Sequence, residues 1–389
     1  MRHELPVPGE DAQAHAQALA RRIAAVIEAE GGWISFARFM ELALYTPGLG
    51  YYSGGARKFG PEGDFVTAPE ISPLFGRALA TQVEQVLACS AAHVIEVGAG
   101  TGLLACDLLE ALAARDALPT HYDILELSGE LRVRQHETLQ ARVPQYLNRV
   151  RWLDALPARF SGCVVANEVL DVMPVQRLAW RADGIFERGV VLDPATGGFG
   201  WQDRPASGRL LRTAQSLPVE QPEGGEYLSE LCLAAAAWVG EWAGRLEKGG
   251  MLLIDYGYPC AEYYLPARST GTLQCYYRHH AHTDLLAWPG LNDITAFVDF
   301  TAVAEAADAA GLTVCGFTNQ ATFLTNCGLL EALAAVGPSD EAPYIRAARA
   351  ALRLIAPHEM GELFKVILLG KGLDEPPRGF VRGDRTHTL

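Results

Sequence analysis

The chain has 389 residues, of which 49% are hydrophobic and 20% are charged, a composition that excludes disorder and favours a globular protein with a sizeable core. Its net charge of −14 argues against generic binding to nucleic-acid phosphates, which needs a basic face. The length corresponds to two domains of ordinary size, or to one large domain with insertions.

The first ninety residues predict helices and a long irregular stretch. Apolar residues at helical spacing indicate a helix over 11–30, and a second helix is predicted over Phe36–Tyr45. Residues 46–76 contain seven glycines and four prolines, and a loop of this length is usually functional. We therefore expect residues 1–90 to form N-terminal helices and a functional Gly/Pro-rich loop, with a further helix after this loop.

Strands and helices alternate in the next part of the chain. Short apolar runs separated by helical segments indicate a parallel sheet. The predicted strands are His93–Val97, Tyr122–Leu127, Arg149–Leu153, Cys163–Ala166, Met251–Asp255, Leu312–Thr318 and Leu363–Leu369. The predicted helices lie at about 103–115, 128–142, 227–246 and 300–310, with two more within 320–356.

Three insertions interrupt this alternation. They lie at about 176–225, which has the pattern of an antiparallel hairpin, at 257–298, which is irregular, and at 320–356. We expect one domain over 91–372 that includes them. The polar residues 373–389, which begin near two prolines, predict a flexible tail.

A glycine-rich turn follows the first strand of the alternation. It reads VIEVGAGTG over 94–102, and its glycines allow positive φ and a close approach of the backbone to a ligand. The turn lacks the Gly-Lys-Ser/Thr of a triphosphate loop, and its G-x-G-x-G spacing differs from the dinucleotide pattern. Glu96 precedes the first glycine by two residues, a variant typical of S-adenosylmethionine sites, in which the acid helps to hold the cationic amino-acid end. A turn without a ligand and a nicotinamide site remain alternatives.

Polar residues follow the other predicted strands. Glu126 ends the second strand, where a carboxylate accepts hydrogen bonds from ribose hydroxyls, although this does not separate S-adenosylmethionine from NAD. Asp154 follows the third strand, where an acid can meet the adenine amino group. After the fourth strand, Asn167 can face the amino-acid part of a cofactor. Glu168 and Asp171, three residues apart, can both project into the crevice if a helical turn begins there.

Eight longer segments of the chain carry a family resemblance. They are YTPGLGYYS (45–53), FGPEGDFVTAPEISPLFG (59–76), VIEVGAGTG (94–102), LELS (125–128), NEVLDVMPV (167–175), LLIDYG (252–257), DITAFVDF (293–300) and LFKVILLGKG (363–372). These segments resemble the MidA-type family of S-adenosylmethionine-dependent methyltransferases, relatives of a mitochondrial arginine methyltransferase that assists complex I assembly. GDFVTAPE and NEVLDVMP are more particular to this family than the glycine turn.

The resemblance implies an α/β fold of the class I methyltransferase type. This is a Rossmann-like, seven-stranded, mostly parallel sheet with helices on both faces, an N-terminal helical and lid segment, and family-specific insertions. The resemblance further implies that the Gly/Pro-rich stretch 46–76, within residues 1–90, covers the cofactor as a lid, with Thr67, Glu70 and Ser72 as contacts. We expect S-adenosylmethionine as cofactor and S-adenosylhomocysteine as product. The expected cofactor-binding residues are Glu96, Gly98, Ala99, Gly100, Glu126, Leu127, Ser128, Asp154 and Asn167.

The family further implies a protein arginine methyltransferase. Carboxylates that grip two guanidinium nitrogens can orient the group and hold charge away from the attacking nitrogen. We expect Glu168 as the first catalytic residue and Asp171 as its partner. Asp255, Asp293 and Asp299 are candidates to extend an acidic groove, with a structural role for each as the favoured alternative. Arg57 and Lys58 are candidates for the cofactor carboxylate, with solvated side chains as the favoured alternative.

Other features define expectations about partners and location. The eight cysteines are scattered without a Cys-x-x-Cys pair, and His279, His280 and His282 lack a companion ligand at diagnostic spacing, so we expect no metal. No run is long and apolar enough for a membrane span or a signal core, so we expect a cytoplasmic protein with a protein substrate and without membrane insertion or nucleic-acid binding. A small-molecule methyltransferase and a non-catalytic assembly factor remain alternatives.

Overall fold

The structure is a computed structural model that describes residues 5–54, 66–220, 222, 224–337 and 341–389. The helices are α1 (Glu10–Ala29), α2 (Phe36–Tyr45), α3 (Ala68–Ile71), α4 (Pro73–Cys89), α5 (Leu103–Ala113), α6 (Gly129–Arg142), α7 (Gly208–Ser216), α8 (Leu233–Arg245), α9 (Cys260–Tyr263), α10 (Phe300–Ala309), α11 (Gln320–Asn326), α12 (Leu329–Ala334) and α13 (Glu341–Ile355). Short 3-10 helices lie at Pro144–Arg149, Pro266–Arg268, Arg378–Phe380 and Thr386–Thr388.

The strands of the described residues alternate with these helices in the middle of the chain and cluster between residues 176 and 231. They are β1 (Ile34–Ser35), β2 (His93–Val97), β3 (His121–Leu125), β4 (Val150–Leu153), β5 (Phe160–Asn167), β6 (Gln176–Arg181), β7 (Gly184–Leu192), β8 (Phe199–Pro205), β9 (Tyr227–Leu231), β10 (Leu246–Tyr258), β11 (Gln274–Tyr277), β12 (His280–His282), β13 (Asp293–Thr295), β14 (Val298–Asp299), β15 (Thr313–Asn319) and β16 (Phe364–Lys371). In the described part of the chain, every helix is too short or too polar to cross a membrane.

The chain forms two compact units, and each is assembled from separated segments. The first unit contains the described residues of 1–65, 170–235 and 259–299, and the second unit contains those of 66–169, 236–258 and 300–389. The predicted segments 1–90 and 91–372 group the chain differently. The N-terminal helices belong with two of the predicted insertions, whereas the helices of the third insertion belong to the second unit.

The second unit is built around a sheet with the strand order β15-β16-β10-β5-β2-β3-β4. Neighbours from β10 to β4 pair in parallel, and β16 is antiparallel to both β10 and β15. In this register Val97 lies opposite both Leu125 and Ala166, so that β2, β3 and β5 end at the same edge. The residues that follow these three strands therefore emerge close together.

Both faces of this sheet are covered. Val94, Ile124 and Val165 pack with α4 and α5 in one hydrophobic cluster. Their neighbours on the opposite face, such as Ile95 and Val164, are also fully buried. This explains why these strands are apolar at successive positions instead of alternating. The expected α/β class is confirmed in this coarse form, but the expectation of a mostly parallel sheet needs refinement, because the sheet of the second unit is mixed, with β16 antiparallel to both β10 and β15.

The first unit contains two antiparallel sheets, and the antiparallel hairpin predicted in the 176–225 insertion is confirmed in one of them by the pairing of β6 with β7 and of β7 with β8. One has the order β1-β7-β6-β9, with β8 paired to β7, and the other has the order β12-β11-β13. The predicted helix over 227–246 is wrong at its start, because Tyr227–Leu231 forms β9 and pairs with β6. All five of its residues are buried, so tertiary packing overrides the helical pattern.

The tail was predicted to be flexible, and this is wrong for its described residues. Phe380 is 5% exposed and lies 5.3 Å, between ring centroids, from Phe323 of α11. Phe317 N–H donates to Asp384, and Arg385 forms an ion pair of 2.7 Å with Glu362. The buried ring of Phe380 and these polar contacts hold residues 373–389 in place, although the composition of this segment alone predicts a flexible tail.

Candidate functional site

The glycine turn lies at the edge where β2, β3 and β5 end. Gly98, Gly100 and Gly102 have φ values of +66°, +51° and +83°, which strain any residue with a Cβ atom. A Cβ on Gly98 would lie 3.1 Å from Cγ2 of Val169, and one on Gly102 would lie 3.2 Å from Cα of Gln135. The turn therefore requires glycine at these positions, both for its positive φ values and because Val169 and Gln135 approach it closely.

Glu96 lies on β2 just before this turn and is 3% exposed. The Tyr122 hydroxyl on β3 donates to Glu96 Oε2 at 2.6 Å. Burial, together with the charges of Glu126 and Asp107, raises the pKa of Glu96 to about 7 against the lowering effect of this bond. The carboxyl group is thus poised to be neutral or ionised near neutral pH, and its predicted contact with the amino-acid end of a cofactor stays a prediction.

Glu126 follows β3, and both oxygens of its carboxylate accept hydrogen bonds from neighbouring residues. Its Oε1 accepts from Ser128 N at 2.9 Å and its Oε2 accepts from Gln135 Nε2 at 3.1 Å. Burial raises its pKa, partly offset by these donors. A carboxylate has about four acceptor positions, so two remain for hydroxyls of a ribose. The neighbouring Leu127 is 82% exposed, an apolar surface suited to a flat ring.

Gln135 is a site residue that the sequence analysis missed. It is fully buried on α6, and its Nε2 donates to both Gly100 O and Glu126 Oε2 at 3.1 Å. Its Oε1 accepts from Trp152 Nε1 at 2.9 Å. Gln135 therefore ties the glycine turn to the acid that follows β3. Its spacing could have identified it from the sequence, because Gln135 lies between Leu131 and Leu139 on the buried side of the helix.

Asp154 follows β4, as expected, but its side chain is 90% exposed. It pairs with Arg132 Nη1 at 2.7 Å, and Arg132 Nε also donates to Glu126 O at 2.8 Å. The arginine thus connects the ends of β3 and β4. The predicted contact of Asp154 with an adenine amino group stays a prediction.

Asn167 and Glu168 come at the end of β5. Asn167 Nδ2 donates to Glu168 Oε1 at 3.0 Å, whereas Asn167 Oδ1 is buried and accepts no hydrogen bond from the described residues. Glu168 has a φ of +55°, which is uncommon for a residue other than glycine. Its N–H donates to Ile254 O at 2.9 Å, and the next N–H, of Val169, donates to Asp255 Oδ2 at 3.1 Å. Neighbouring β10 therefore fixes the backbone that presents the Glu168 carboxylate.

These residues fit an S-adenosyl cofactor. The glycine turn provides the close backbone, Glu126 provides acceptors for ribose hydroxyls, and Leu127 provides an exposed apolar surface. The buried Asn167 Oδ1 is an acceptor that is costly to leave without a donor, and the ammonium group of the cofactor is such a donor. The residue types and their shared edge therefore match the ligand that the glycine motif predicts.

The first unit contains a cluster of two acids and tyrosines. Asp171 is 4% exposed and Asp293 is 3% exposed. The Tyr52 hydroxyl donates to Asp293 Oδ1 at 2.9 Å, and burial, followed by the charges of Asp293 and Asp171, raises the Tyr52 pKa well above its usual value. Tyr276 lies opposite Asp293 on the neighbouring strand, and the same influences raise its pKa. The Asp171 O accepts from Ala296 N at 2.9 Å.

Several predicted residues lie elsewhere. Glu168 belongs to the second unit and Asp171 to the first, so their action on one substrate group stays a prediction. Thr67 and Glu70 form the capping box of α3, and Ser72 caps α4, which gives these lid residues structural roles. Arg57, Lys58 and the rest of 55–65 lie outside the described residues.

His279, His280 and His282, considered above as metal ligands, lie in the hairpin of β11 and β12. His280 Nδ1 contacts Arg278 O, and His282 Nε2 contacts Asn292 Oδ1 at 3.2 Å. Across the described ranges, no group of three or more His, Cys, Asp or Glu side chains is arranged to hold a metal ion.

Comparisons with known proteins agree with this geometry. The family model described as S-adenosyl-L-methionine-dependent methyltransferase matches residues 74–318. The Drosophila melanogaster protein named "Protein arginine methyltransferase NDUFAF7 homolog, mitochondrial" is 31% identical over 95% of this chain and 89% of its own length. The Danio rerio protein named "Protein arginine methyltransferase NDUFAF7, mitochondrial" is 30% identical over 86% of this chain and 82% of its own length.

Two solved structures from Burkholderia thailandensis are similar over nearly the whole chain. One contains bound S-adenosyl-homocysteine and is 50% identical, with a TM-score of 0.95 over 99% of this chain and 100% of the other. The second is a native structure from the same superfamily and is 49% identical, with a TM-score of 0.92 over the same shares of the two chains.

Proposed function

The chain belongs to the family of S-adenosyl-L-methionine-dependent methyltransferases, and we propose that its methyl acceptor is an arginine side chain of a protein substrate. The observation on which this proposal rests is the pair of buried acids Asp171 and Asp293 beside Tyr52. Acids and aromatic faces are the groups that bind a guanidinium ion. The names of the full-length relatives support the same acceptor.

An arginine nucleophile needs help from the protein. Its guanidinium remains protonated at neutral pH, and its nitrogen lone pairs are delocalised. When bound, S-adenosylmethionine supplies the methyl group as an electrophile. The chain must therefore orient the guanidinium and hold its charge away from the attacking nitrogen. We assign this task to the Glu168 carboxylate, with Asp171 supporting the same group, because carboxylates bind two guanidinium nitrogens in one plane.

The backbone of Glu168 supports its assignment as a catalytic residue. A φ of +55° costs a non-glycine residue roughly 1 kcal/mol or more. Such strained residues are concentrated at active sites, where the surrounding structure holds them. Here the hydrogen bond from Glu168 N to Ile254 O and the contact with Asn167 Nδ2 hold both the backbone and the carboxylate.

The test is Glu168→Gln, assayed with methyl-labelled cofactor and extract from cells that lack the protein. We expect label in methylarginine of one protein with the wild type. We expect turnover to fall by roughly 100-fold or more in the variant, since one electrostatic partner of the reacting group is lost. Affinity for S-adenosylhomocysteine should change less than about twofold, because the ribose and ammonium contacts remain.

Asp116→Asn is the matched control, because Asp116 is also an acid with positive φ, +56°, but is exposed after α5. It should leave turnover unchanged. Full activity of Glu168→Gln would refute the carboxylate role. Label in a small molecule or in another residue type would refute arginine as acceptor. Binding of S-adenosylhomocysteine without any labelled product would instead favour a non-catalytic assembly factor.

A further inference from the structure

Glu230 is a buried acid whose role the site does not yet explain. It lies on β9, is 1% exposed, and its Oε2 accepts from Thr272 N at 2.8 Å and from Thr272 Oγ1 at 3.1 Å. Its Oε1 is buried and accepts no hydrogen bond from the described residues. A Cβ on Gly271 would lie 2.1 Å from this oxygen, so the chain at 271 is shaped around the carboxylate.

The hydrogen bonds around Thr272 have a single consistent direction when Glu230 is ionised. The carboxylate only accepts, and Phe297 N, 3.1 Å from Thr272 Oγ1, only donates. The Thr272 hydroxyl must therefore donate to Glu230 and accept from Phe297. The Tyr263 hydroxyl, 3.1 Å away, then donates to the second lone pair of Thr272 Oγ1. The acceptor oxygen Oε2 of Glu230 thus determines the orientation of the hydroxyl that holds Phe297.

Phe297 ends a short segment that contacts both acids of the proposed acceptor site. Asp293 begins this segment and accepts from the Tyr52 hydroxyl at 2.9 Å. Ala296 N, one residue before Phe297, donates to Asp171 O at 2.9 Å. The segment 293–297 therefore connects the side chain of one acid to the backbone of the other, and Thr272 fixes its far end.

The charge of Glu230 is balanced within the same unit. Arg177 lies opposite Glu230 in the pairing of β6 with β9. Arg177 is itself largely buried, with its guanidinium 4.8 Å from the ring centroid of Trp201, and the negative charge of Glu230 counters the effect of burial, which lowers the Arg177 pKa. The other titratable groups that face Glu230 are Tyr227, Tyr263 and Tyr264.

We propose that Glu230 is a positioning residue that acts through Thr272 on the segment 293–297 and so sets the placement of Asp171 and Asp293 for the methyl acceptor. This inference rests on the proposed function, in which these two acids bind the acceptor. Glu230 and Thr272 touch neither substrate nor cofactor in this scheme. They determine how well the acceptor is bound, while the cofactor residues of the second unit are left unchanged.

The kinetic test compares Glu230→Gln, Thr272→Val and Thr272→Ser. Thr272→Val keeps the shape but removes the hydroxyl, and Thr272→Ser keeps the hydroxyl. We expect Glu230→Gln and Thr272→Val each to raise KM for the acceptor about tenfold, with Thr272→Ser close to wild type. The double variant Glu230→Gln/Thr272→Val should be no worse than either single one, because the two act in one network. Affinity for S-adenosylhomocysteine should stay within about twofold of wild type.

Glu226→Gln is the matched control in the same unit, since Glu226 pairs at 2.8 Å with Arg181 and Arg188 and not with Thr272. It should leave KM unchanged. Equal kinetics for Thr272→Val and Thr272→Ser, accompanied by a lower melting temperature alone, would overturn the proposal and leave Glu230 a purely structural residue.

Amide hydrogen exchange provides a readout that needs no activity. In Glu230→Gln the Ala296 N–H, bonded to Asp171 O, should exchange several-fold faster than in wild type, whereas amides of β2 should not change. Unchanged exchange at Ala296 would also overturn the proposal. If the wild type forms no methylarginine, the proposed function fails, and the exchange result still decides whether Glu230 positions the segment.

Discussion

Replacing Glu96 by glutamine should stabilise the protein at alkaline pH. Burial raises the pKa of Glu96 from its ordinary 4.5 to about 7. The folded protein therefore binds more protons than the unfolded chain between these two values. The stability contributed by Glu96 is present below pH 4.5 and is lost as the pH rises through about 7. The difference between the two pKa values corresponds to about 3 kcal/mol.

The variant Glu96→Gln stays neutral at every pH and keeps an oxygen that accepts from Tyr122. Its free energy of unfolding, measured by denaturant titration, should equal that of wild type near pH 4. It should exceed that of wild type by up to about 3 kcal/mol at pH 8. Glu137→Gln, an exposed acid on α6, is the control and should show no such difference.

The opposite result would refute this reasoning. If Glu96→Gln is less stable than wild type at pH 8, the buried carboxylate is ionised and stabilised by its surroundings. The same variant also tests the predicted contact with the cofactor. If the Glu96 carboxylate holds the ammonium group, affinity for S-adenosylhomocysteine should fall by about tenfold or more, since a hydrogen bond to a charged group is lost. Stability and binding would then change in opposite directions.

Two further predictions concern Glu126 and Phe380. Glu126→Gln places an amide donor against Ser128 N or Gln135 Nε2. We therefore expect the affinity for S-adenosylhomocysteine, measured by calorimetry, to fall by about 10- to 100-fold, with Glu130→Gln as the control. Unchanged affinity would exclude the ribose contact. Phe380→Ala should lower the free energy of unfolding, measured by thermal unfolding, by about 3 kcal/mol. Val381 is 63% exposed, so the control Val381→Ala should change it little. Equal effects of the two substitutions would mean that the tail does not anchor the second unit.

The parts of the site that the sequence predicted are those formed by residues that lie close together along the chain. The strand His93–Val97 was predicted with the bounds that the structure has, and the turn after it contains the glycines at positive φ. Glu126 and Asp154 also follow strands as expected, and Asn167 is the last residue of its strand, so all three lie where parallel strands end at one edge of the sheet. Gln135 was missed, since a polar residue within a helix does not reveal which turn it contacts.

The first unit shows what sequence patterns do not contain. Its helices α1 and α2 pack with residues beyond position 170, such as Val190 and Ile294, in one hydrophobic cluster. No local periodicity indicates which distant strands share a core, so the N-terminal helices and the insertions looked like separate segments. The network of Glu230, Thr272 and Phe297 is hidden for the same reason, because it joins three segments that are remote in sequence.

Glu168 illustrates how the two kinds of information combine. The sequence around Glu168 shows only that an acid follows a predicted strand. An acid that caps the start of a helix would give the same pattern. The structure instead places Glu168 at a φ of +55°, with its N–H bonded to Ile254 O and its carboxylate to Asn167 Nδ2. A capping role would not require this strained backbone, and glycine would adopt it at lower cost. A carboxylate at this position is therefore better explained by a role in binding than by the fold.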